Sequence, residues 1–320
     1  MRAERSVLRA LLSVLFVCLA CALAYGQASR GTDGEKRRGV RSVTIPVTVR
    51  LPKERTQPEE FQYIEGIKVF EDGEPQEILT IRGMAQSPLT LAVLIQDDLV
   101  PSVGNEIKGL AEFIRRLPPN SRVLVGYMRA GSLQVRQRFT VDLERAAKSL
   151  RIPIGSTSVS PYNPFSTLRE AVRRFEGQPV GRRAVLLVSD GLDLSHGVSG
   201  STPTQSPDLQ RAIEDAQRRA VAIYSIYAPT VGGTASAVGL AGNGQSALNR
   251  LATETGGHAF FQGTGAPVSF DPYLREINQL LSRQFALTYL STHPAKGFHR
   301  IRVASEVAEG DIVHPTGYLR

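Results

Sequence analysis

The sequence predicts a doubly wound α/β fold: a mostly parallel sheet with helices on both faces. Three observations carry this reading. Residues 89–96 are apolar almost throughout, include β-branched side chains, and end in the pair Asp97-Asp98. A run of that length and composition fits a strand buried on both faces. Residues 183–189 repeat the form and end in Asp190-Gly191. Around these two runs, strand-like and helix-like spacings alternate from 89 to 283, as expected of parallel strands joined by helices with one antiparallel edge. Open sheets of this class place ligand sites at the C-terminal ends of strands, so the carboxylates mark the candidate site.

The first 26 residues stand outside that fold. Arg2, Arg5 and Arg9 precede an apolar run over 11–23, and Ala24-Tyr25-Gly26 offers a small-residue cleavage site. This is the composition of a secretory signal peptide, and the run is shorter than a membrane span needs. Export to the periplasm or the medium is expected, with no membrane span after cleavage; the alternatives are an uncleaved membrane anchor and, through Cys21, a lipoprotein. Cys18 and Cys21 both lie in the leader, so the mature chain has neither disulfide nor thiolate metal site. Residues 27–42 are polar and charged and read as a linker.

From 43 the pattern changes. Val43, Ile45, Val47 and Val49 alternate as on a half-buried strand, and a polar loop follows from 51 to 60. Two short strands, 67–70 and 78–81, flank Asp72-Gly73 and predict a hairpin. Residues 43–88 therefore form half of a small β-module. Strand-like residues 284–290, 299–303 and 312–319 supply the other half (284–320), with the α/β domain (89–283) inserted between them. Within that domain, helices are expected over 103–117, 143–150, 166–175, 209–219, 247–255 and 271–282. Strands are expected over 123–128, 133–139, 221–227 and 258–261. The Gly/Ala/Ser-rich stretch 230–244 is expected as a loop, and so is 153–165.

The formal net charge is +8. The arginines come in scattered pairs, such as Arg115/Arg116 and Arg218/Arg219, which read as solvated helix surface rather than a nucleic-acid track. The five histidines, His196, His258, His293, His299 and His314, form no zinc-type spacing. The glycines at 239, 242 and 244 lack the preceding strand and the following Lys-Ser/Thr of a phosphate loop, and there is no Gly-x-Ser-x-Gly elbow.

The order of these features resembles the von Willebrand factor A domain: a buried strand ending in Asp97, a helix, a hairpin, Thr167 near a helix start, and a second strand ending in Ser189-Asp190-Gly191. More closely, the chain from about 42 onward is similar to the VWFA-related proteins typical of Acidobacteria. Phe70-Glu71-Asp72-Gly73-Glu74-Pro75 resembles that family's leading hairpin, and Phe285-Ala286-Leu287-Thr288-Tyr289 its tail.

The resemblance implies a metal-ion-dependent adhesion site. There Asp-x-Ser-x-Ser, a distant Thr and a distant Asp hold a hard divalent cation, Mg²⁺ or Mn²⁺, through oxygen. Thr167, Asp190 and Asp97 match positions of that pattern. The serines do not: counted from Asp97 they are Leu99 and Pro101, and counted from Asp98 they are Val100 and Ser102. The expected site set is Asp97, Asp98, Ser102, Thr167 and Asp190, read as degenerate, with no bound ion as the favoured state. Gln96, at a buried strand end, is expected to be hydrogen-bonded structurally. The function expected is non-catalytic: an exported module that binds a protein or surface polymer through the loops 98–102, 162–166 and 191–197. The alternatives are a metal-dependent hydrolase built on the strand-end carboxylates, and an envelope assembly component with no ligand at this edge.

Overall fold

The structure, a computed structural model, describes residues 40–50, 66–231, 238–305 and 311–320. The leader, most of the linker and the 51–60 loop lie outside the described residues. Two compact units are present. The described residues of 42–290 and 295–320 form the main one; of the other only Val40, Arg41 and 291–294 are described.

The main unit holds two sheets. One contains β4 (Thr90–Gln96), β5 (Arg122–Arg129), β6 (Ser132–Thr140), β7 (Arg183–Ser189), β8 (Val221–Tyr227) and β9 (Ala259–Phe260), in the order β6-β5-β4-β7-β8-β9. Numbered within this sheet the order is 3-2-1-4-5-6, the doubly wound arrangement with its topological switch between the first and fourth strands, here β4 and β7. The strands are parallel except β6, which pairs antiparallel with β5 across a two-residue turn at Ala130-Gly131. Both turn residues have positive φ, 47° and 73°, as a tight hairpin of this hand requires.

Helices cover both faces. α1 (Ile107–Arg115), α2 (Leu143–Lys148) and α6 (Asp271–Ser282) pack on the face carrying Leu91, Val93 and Ile95. α3 (Pro164–Arg173), α4 (Pro207–Arg218) and α5 (Val238–Thr255) pack on the face carrying Ala92 and Leu94. The starts of α3 and α4 are written locally: Asn163 and Ser206 accept the first-turn amides of Ser166 (3.0 Å) and Leu209 (3.1 Å), each with proline at the first helical position.

The second sheet has seven strands: β1 (Arg41–Arg50), β2 (Ile67–Glu71), β3 (Glu74–Arg82), β10 (Gln284–Ser291), β11 (Phe298–Ser305), β12 (Asp311–Val313) and β13 (Gly317–Leu319). Their order is β12-β1-β10-β3-β2-β11-β13, so both ends of the chain contribute and the α/β layer is inserted between them. Val43, Ile45, Val69, Leu287, Tyr289 and Ile301 form a separate core for this sheet. The Asp72-Gly73 turn, φ 50° and 91°, joins β2 to β3 as the sequence predicts. The tail strand expected over 312–319 is two short strands, broken at His314-Pro315-Thr316, where the Thr316 amide turns aside to bond the Glu254 carbonyl at the end of α5 (3.2 Å).

One helix departs from expectation. α5 begins at Val238, well before the predicted 247, so the glycines at 239, 242 and 244 are helical. Glycine lowers helix propensity by about 1 kcal/mol relative to alanine, which made the stretch read as loop. Close packing against the end of β7 outweighs that preference.

Candidate functional site at the carboxyl edge of the sheet

Side-chain alternation along β4 decides how the strand-end residues are shared out. Ile95 and Ala92/Leu94 lie on opposite faces, so Gln96 continues toward α3, α4 and α5 and Asp97 toward α2.

On the α2 side Asp97 is fully buried and meets Arg151, three residues beyond α2. The pair is bidentate: Nη1 and Nη2 of Arg151 each lie 2.7 Å from a carboxylate oxygen. The Ile154 amide donates to Asp97 Oδ1 (3.1 Å), and the Gly155 amide donates to the Asp97 carbonyl (2.9 Å). Arg151 is itself fixed. Its guanidinium carbon stands 4.0 Å from the centre of the Tyr127 ring, and the Tyr127 hydroxyl both accepts from the Arg151 amide (2.7 Å) and donates to the Arg151 carbonyl (2.5 Å). The hydrogen bond to Asp97 raises the Arg151 pKa further.

On the other side Gln96 links the two neighbouring strand ends. Its Nε2 donates to Asp98 Oδ1 (2.9 Å), while its Oε1 accepts from Ser189 Oγ (2.6 Å) and from the Asp190 amide (3.3 Å). The structural satisfaction expected of Gln96 is what the geometry shows. Asp98 and Asp190 are both buried, at 3% and 5% exposure. Burial pushes the Asp98 carboxyl up, opposed by hydrogen bonds from Gln96 and Ser160. Burial pushes Asp190 up to about 7, opposed by the Leu192 amide and reinforced by the charge of Asp98.

A roof explains that burial. The Val100 amide donates to the Pro229 carbonyl and the Val231 amide to the Asp98 carbonyl (3.0 Å each), with Leu99 bridged to Thr230. The segments that leave β4 and β8 are thereby laced together. Leu99 is wholly buried in this crossing, at a position where the adhesion motif would have serine.

Thr167 sits in the first turn of α3, 1% exposed, and its hydroxyl has no hydrogen-bond partner among the described residues. The segment before it is clamped to the loop after Asp190: the Leu194 amide donates to the Tyr162 carbonyl (2.8 Å), and Asn163 Nδ2 reaches Asp208 (2.7 Å). Ser102 is exposed on a 3₁₀ turn, Pro101–Glu106. The five expected site residues are thus not one cluster. Asp98 and Asp190 are brought together through Gln96, Thr167 lies in the helix on their face of the sheet, Asp97 is paired with Arg151 on the opposite face, and Ser102 is at the surface.

A divalent cation would find oxygen in Asp98 and Asp190 and a buried hydroxyl without a partner in Thr167. It would also find Asp97 bound to a guanidinium and Leu99 folded inward. The donor set does not fit a complete adhesion-type site.

Ser195, His196 and Asp193 come close without forming a catalytic relay. The Ser195 hydroxyl donates to Asp193 (2.5 Å) and lies 3.0 Å from His196 Nδ1. Asp193 also accepts from Ser206 Oγ (2.7 Å), the cap of α4, so the group builds the loop.

No protein-family profile matches the chain, and no curated protein matches it in sequence. Among solved structures it is similar to a von Willebrand factor type A protein from Catenulispora acidiphila (11% identity, 87% of this chain and 73% of that one, TM-score 0.43). It is also similar to the conserved hypothetical protein BatB from Bacteroides thetaiotaomicron (15% identity, 61% and 97%, TM-score 0.42). A third is the manganese-loaded TRAP protein of Plasmodium vivax (13% identity, 79% and 99%, TM-score 0.39). The fold itself is the doubly wound α/β arrangement that the strand order shows.

A further property of the α/β layer is plain only once its edges are known. Residues 99–105, 152–163, 194–205, 228–231 and 261–269 make up most of the loops at this edge and contain no Asp, Glu, Lys or Arg, in a chain that is 21% charged. The edge's charges are the buried Asp97, Asp98, Asp190 and Asp193, Arg151 paired with Asp97, and exposed Arg129 at the end of β5. Seven of the thirteen exposed large apolar side chains among the described residues lie in these loops: Ile152, Ile154, Tyr162, Val198, Val231, Phe261 and Val268. Of the expected contact patches, Pro101, Ser102, Tyr162, His196 and Gly197 are exposed, whereas Asp98, Leu99, Phe165 and Gly191 are buried.

Proposed function

We propose that this chain is an exported, non-catalytic interaction module that binds a protein or surface polymer through the carboxyl edge of its von Willebrand A-like layer. The observation that supports it best is the charge-free, apolar rim. Depletion of charge with exposed aromatic and aliphatic side chains is the composition of an interface core, whereas ordinary solvated loops carry charge. Tyr162 adds to this. It is 64% exposed and held at φ 53°, a left-handed conformation costing a non-glycine residue about 1 kcal/mol or more. Strain spent on presenting an aromatic ring to solvent is consistent with a contact role. Export rests on the composition of the leader. Among the described residues no helix is long and apolar enough to cross a membrane.

The test places a photo-crosslinking residue at Tyr162 or Val198, and at Arg116 on the helical flank as a control, and exposes each protein to an envelope extract of the cells that make it. Adducts at the rim positions, absent from the flank, are expected. Equal labelling at all three would sink this reading.

A further inference from the structure

We propose that Arg151 is the resident cation of this edge: its guanidinium neutralises Asp97 and fixes the loop 151–155, so the edge is set for a partner without a divalent ion. Asp97 has no exposed surface. An ionised carboxylate in that position needs a counter-charge, and a bidentate guanidinium is the strongest that a side chain can supply. Asp97 binds the same loop in two more ways, its Oδ1 accepting from the Ile154 amide and its carbonyl from the Gly155 amide, while Arg151 Nη1 donates to the Ile152 carbonyl (2.9 Å). Gly155, at φ 64°, lets the loop turn back to make these contacts. The Tyr127 ring and hydroxyl lock Arg151 from below, which separates this pair from an adventitious surface ion pair. The loop so fixed carries Ile152 and Ile154, 63% and 45% exposed, at the apolar rim. A side chain has here the double task of an ion: balancing the strand-end charge and ordering the loop beside it. Only the consequence for partner binding rests on the proposed function; the pairing is tested without a partner.

The test measures thermal unfolding of the full chain in EDTA and in millimolar Mn²⁺, for wild type, Asp97→Asn, Arg151→Lys, Arg151→Gln and the double variant Arg151→Gln/Asp97→Asn. Wild type is expected to melt at the same temperature in both conditions. Arg151→Lys, which keeps the charge, should lose less than Arg151→Gln. Arg151→Gln should melt several degrees lower in EDTA, and the double variant should regain part of that loss, because it no longer buries an unpaired carboxylate. A wild-type melting temperature that rises with Mn²⁺ or falls in EDTA, by a shift that Asp190→Asn abolishes, overturns the proposal, since the edge would then take an ion. So does an Arg151→Gln protein as stable as wild type. If Arg151→Gln does not fold, a single Asp97→Asn variant that melts with wild type in both conditions overturns it equally. Failure of the rim crosslinks alone leaves these melts unchanged, so the two readings fail separately.

Discussion

Gly244 of α5 rests directly on Asp190: a Cβ at Gly244 would lie 2.0 Å from the Asp190 carbonyl oxygen. The fit is reciprocal, because a Cβ at Gly191, φ 68°, would lie 2.4 Å from the Gly244 carbonyl. The helix can reach the end of β7 only where both residues lack side chains. Neither backbone can yield without shifting α5 or the strand end. Gly244→Ala is therefore expected to cost at least about 2 kcal/mol, as over-packing of a close contact does. Gly242→Ala, which meets nothing within 4 Å, should instead be neutral or stabilising through helix propensity. Chemical denaturation of the two variants separates them. Equal stability would mean that the helix does not approach Asp190 as described.

Asp190 should impose a pH dependence. Burial lifts its carboxyl to about 7 in the folded chain, above the ordinary 3.8. A raised carboxyl pKa means the protonated form is favoured by folding. Its stabilising contribution is complete below about 3.8 and is lost as pH rises through about 7. Asp190→Asn keeps the shape and removes the buried charge, so it should be the more stable protein at pH 8, by a margin on the order of a few kcal/mol, and the difference should shrink toward pH 4. Thermal melts of both proteins across that range check it. An Asn variant that is less stable at pH 8 would show that ionised Asp190 has a favourable partner.

The β-module carries the opposite kind of titrating group. His299 is buried in β11, stacked on Tyr318, with Nδ1 2.7 Å from Asp72 Oδ2 and Nε2 2.9 Å from the Ala295 carbonyl. Both partners only accept, so both ring nitrogens must carry protons. Burial by itself would lower the His299 pKa, but the Ala295 carbonyl, Asp72 and Glu71 outweigh it and raise it above 6.5. The stabilisation is thus complete below 6.5 and is lost as pH rises through the folded value. Since Asp72 also accepts from the Arg300 amide (2.8 Å), the hairpin turn is tied to β11 at this point. His299→Asn should cost about 2 kcal/mol at pH 6 and less at alkaline pH. Wild-type and variant stabilities that run parallel over this range would refute a charged His299.

The architecture was legible because each device was local. The Asp72-Gly73 turn and the apolar runs of β4 and β7 are each readable within a few residues. The site was only half legible. Alternation along β4 sends Asp97 to Arg151, on the face away from Asp98, Thr167 and Asp190, so residues that match one motif in sequence separate in space. Arg151, the partner of Asp97, is 54 positions away, and nothing in its neighbours announces the pairing. Leu99 looks like a lost serine in sequence; in the fold it is the buried end of a crossing to Thr230. Gly244 misled for the same reason: it serves a contact with Asp190 made by the tertiary fold, against its local preference.

Tyr162 offers the sharpest separation of folding from function. Its φ of 53° disfavours any residue but glycine or asparagine, and its ring is mostly in solvent. Tyr162→Gly should leave stability unchanged or raise it by up to about 1 kcal/mol, because relieved strain roughly offsets the greater entropy of the unfolded chain. The same change removes the aromatic tip from the rim. Capture through a crosslinker placed at Val198 should then fall several-fold while the melting temperature holds or rises. A purely structural role predicts the reverse, a loss of stability with capture unaffected at conditions where the variant is folded. Because Ile154 sits on a different loop of the same rim, Ile154→Asp should weaken capture as well, with little cost to the fold. If Tyr162→Gly and Ile154→Asp both melt like wild type and both capture like wild type, the apolar edge is not the contact surface.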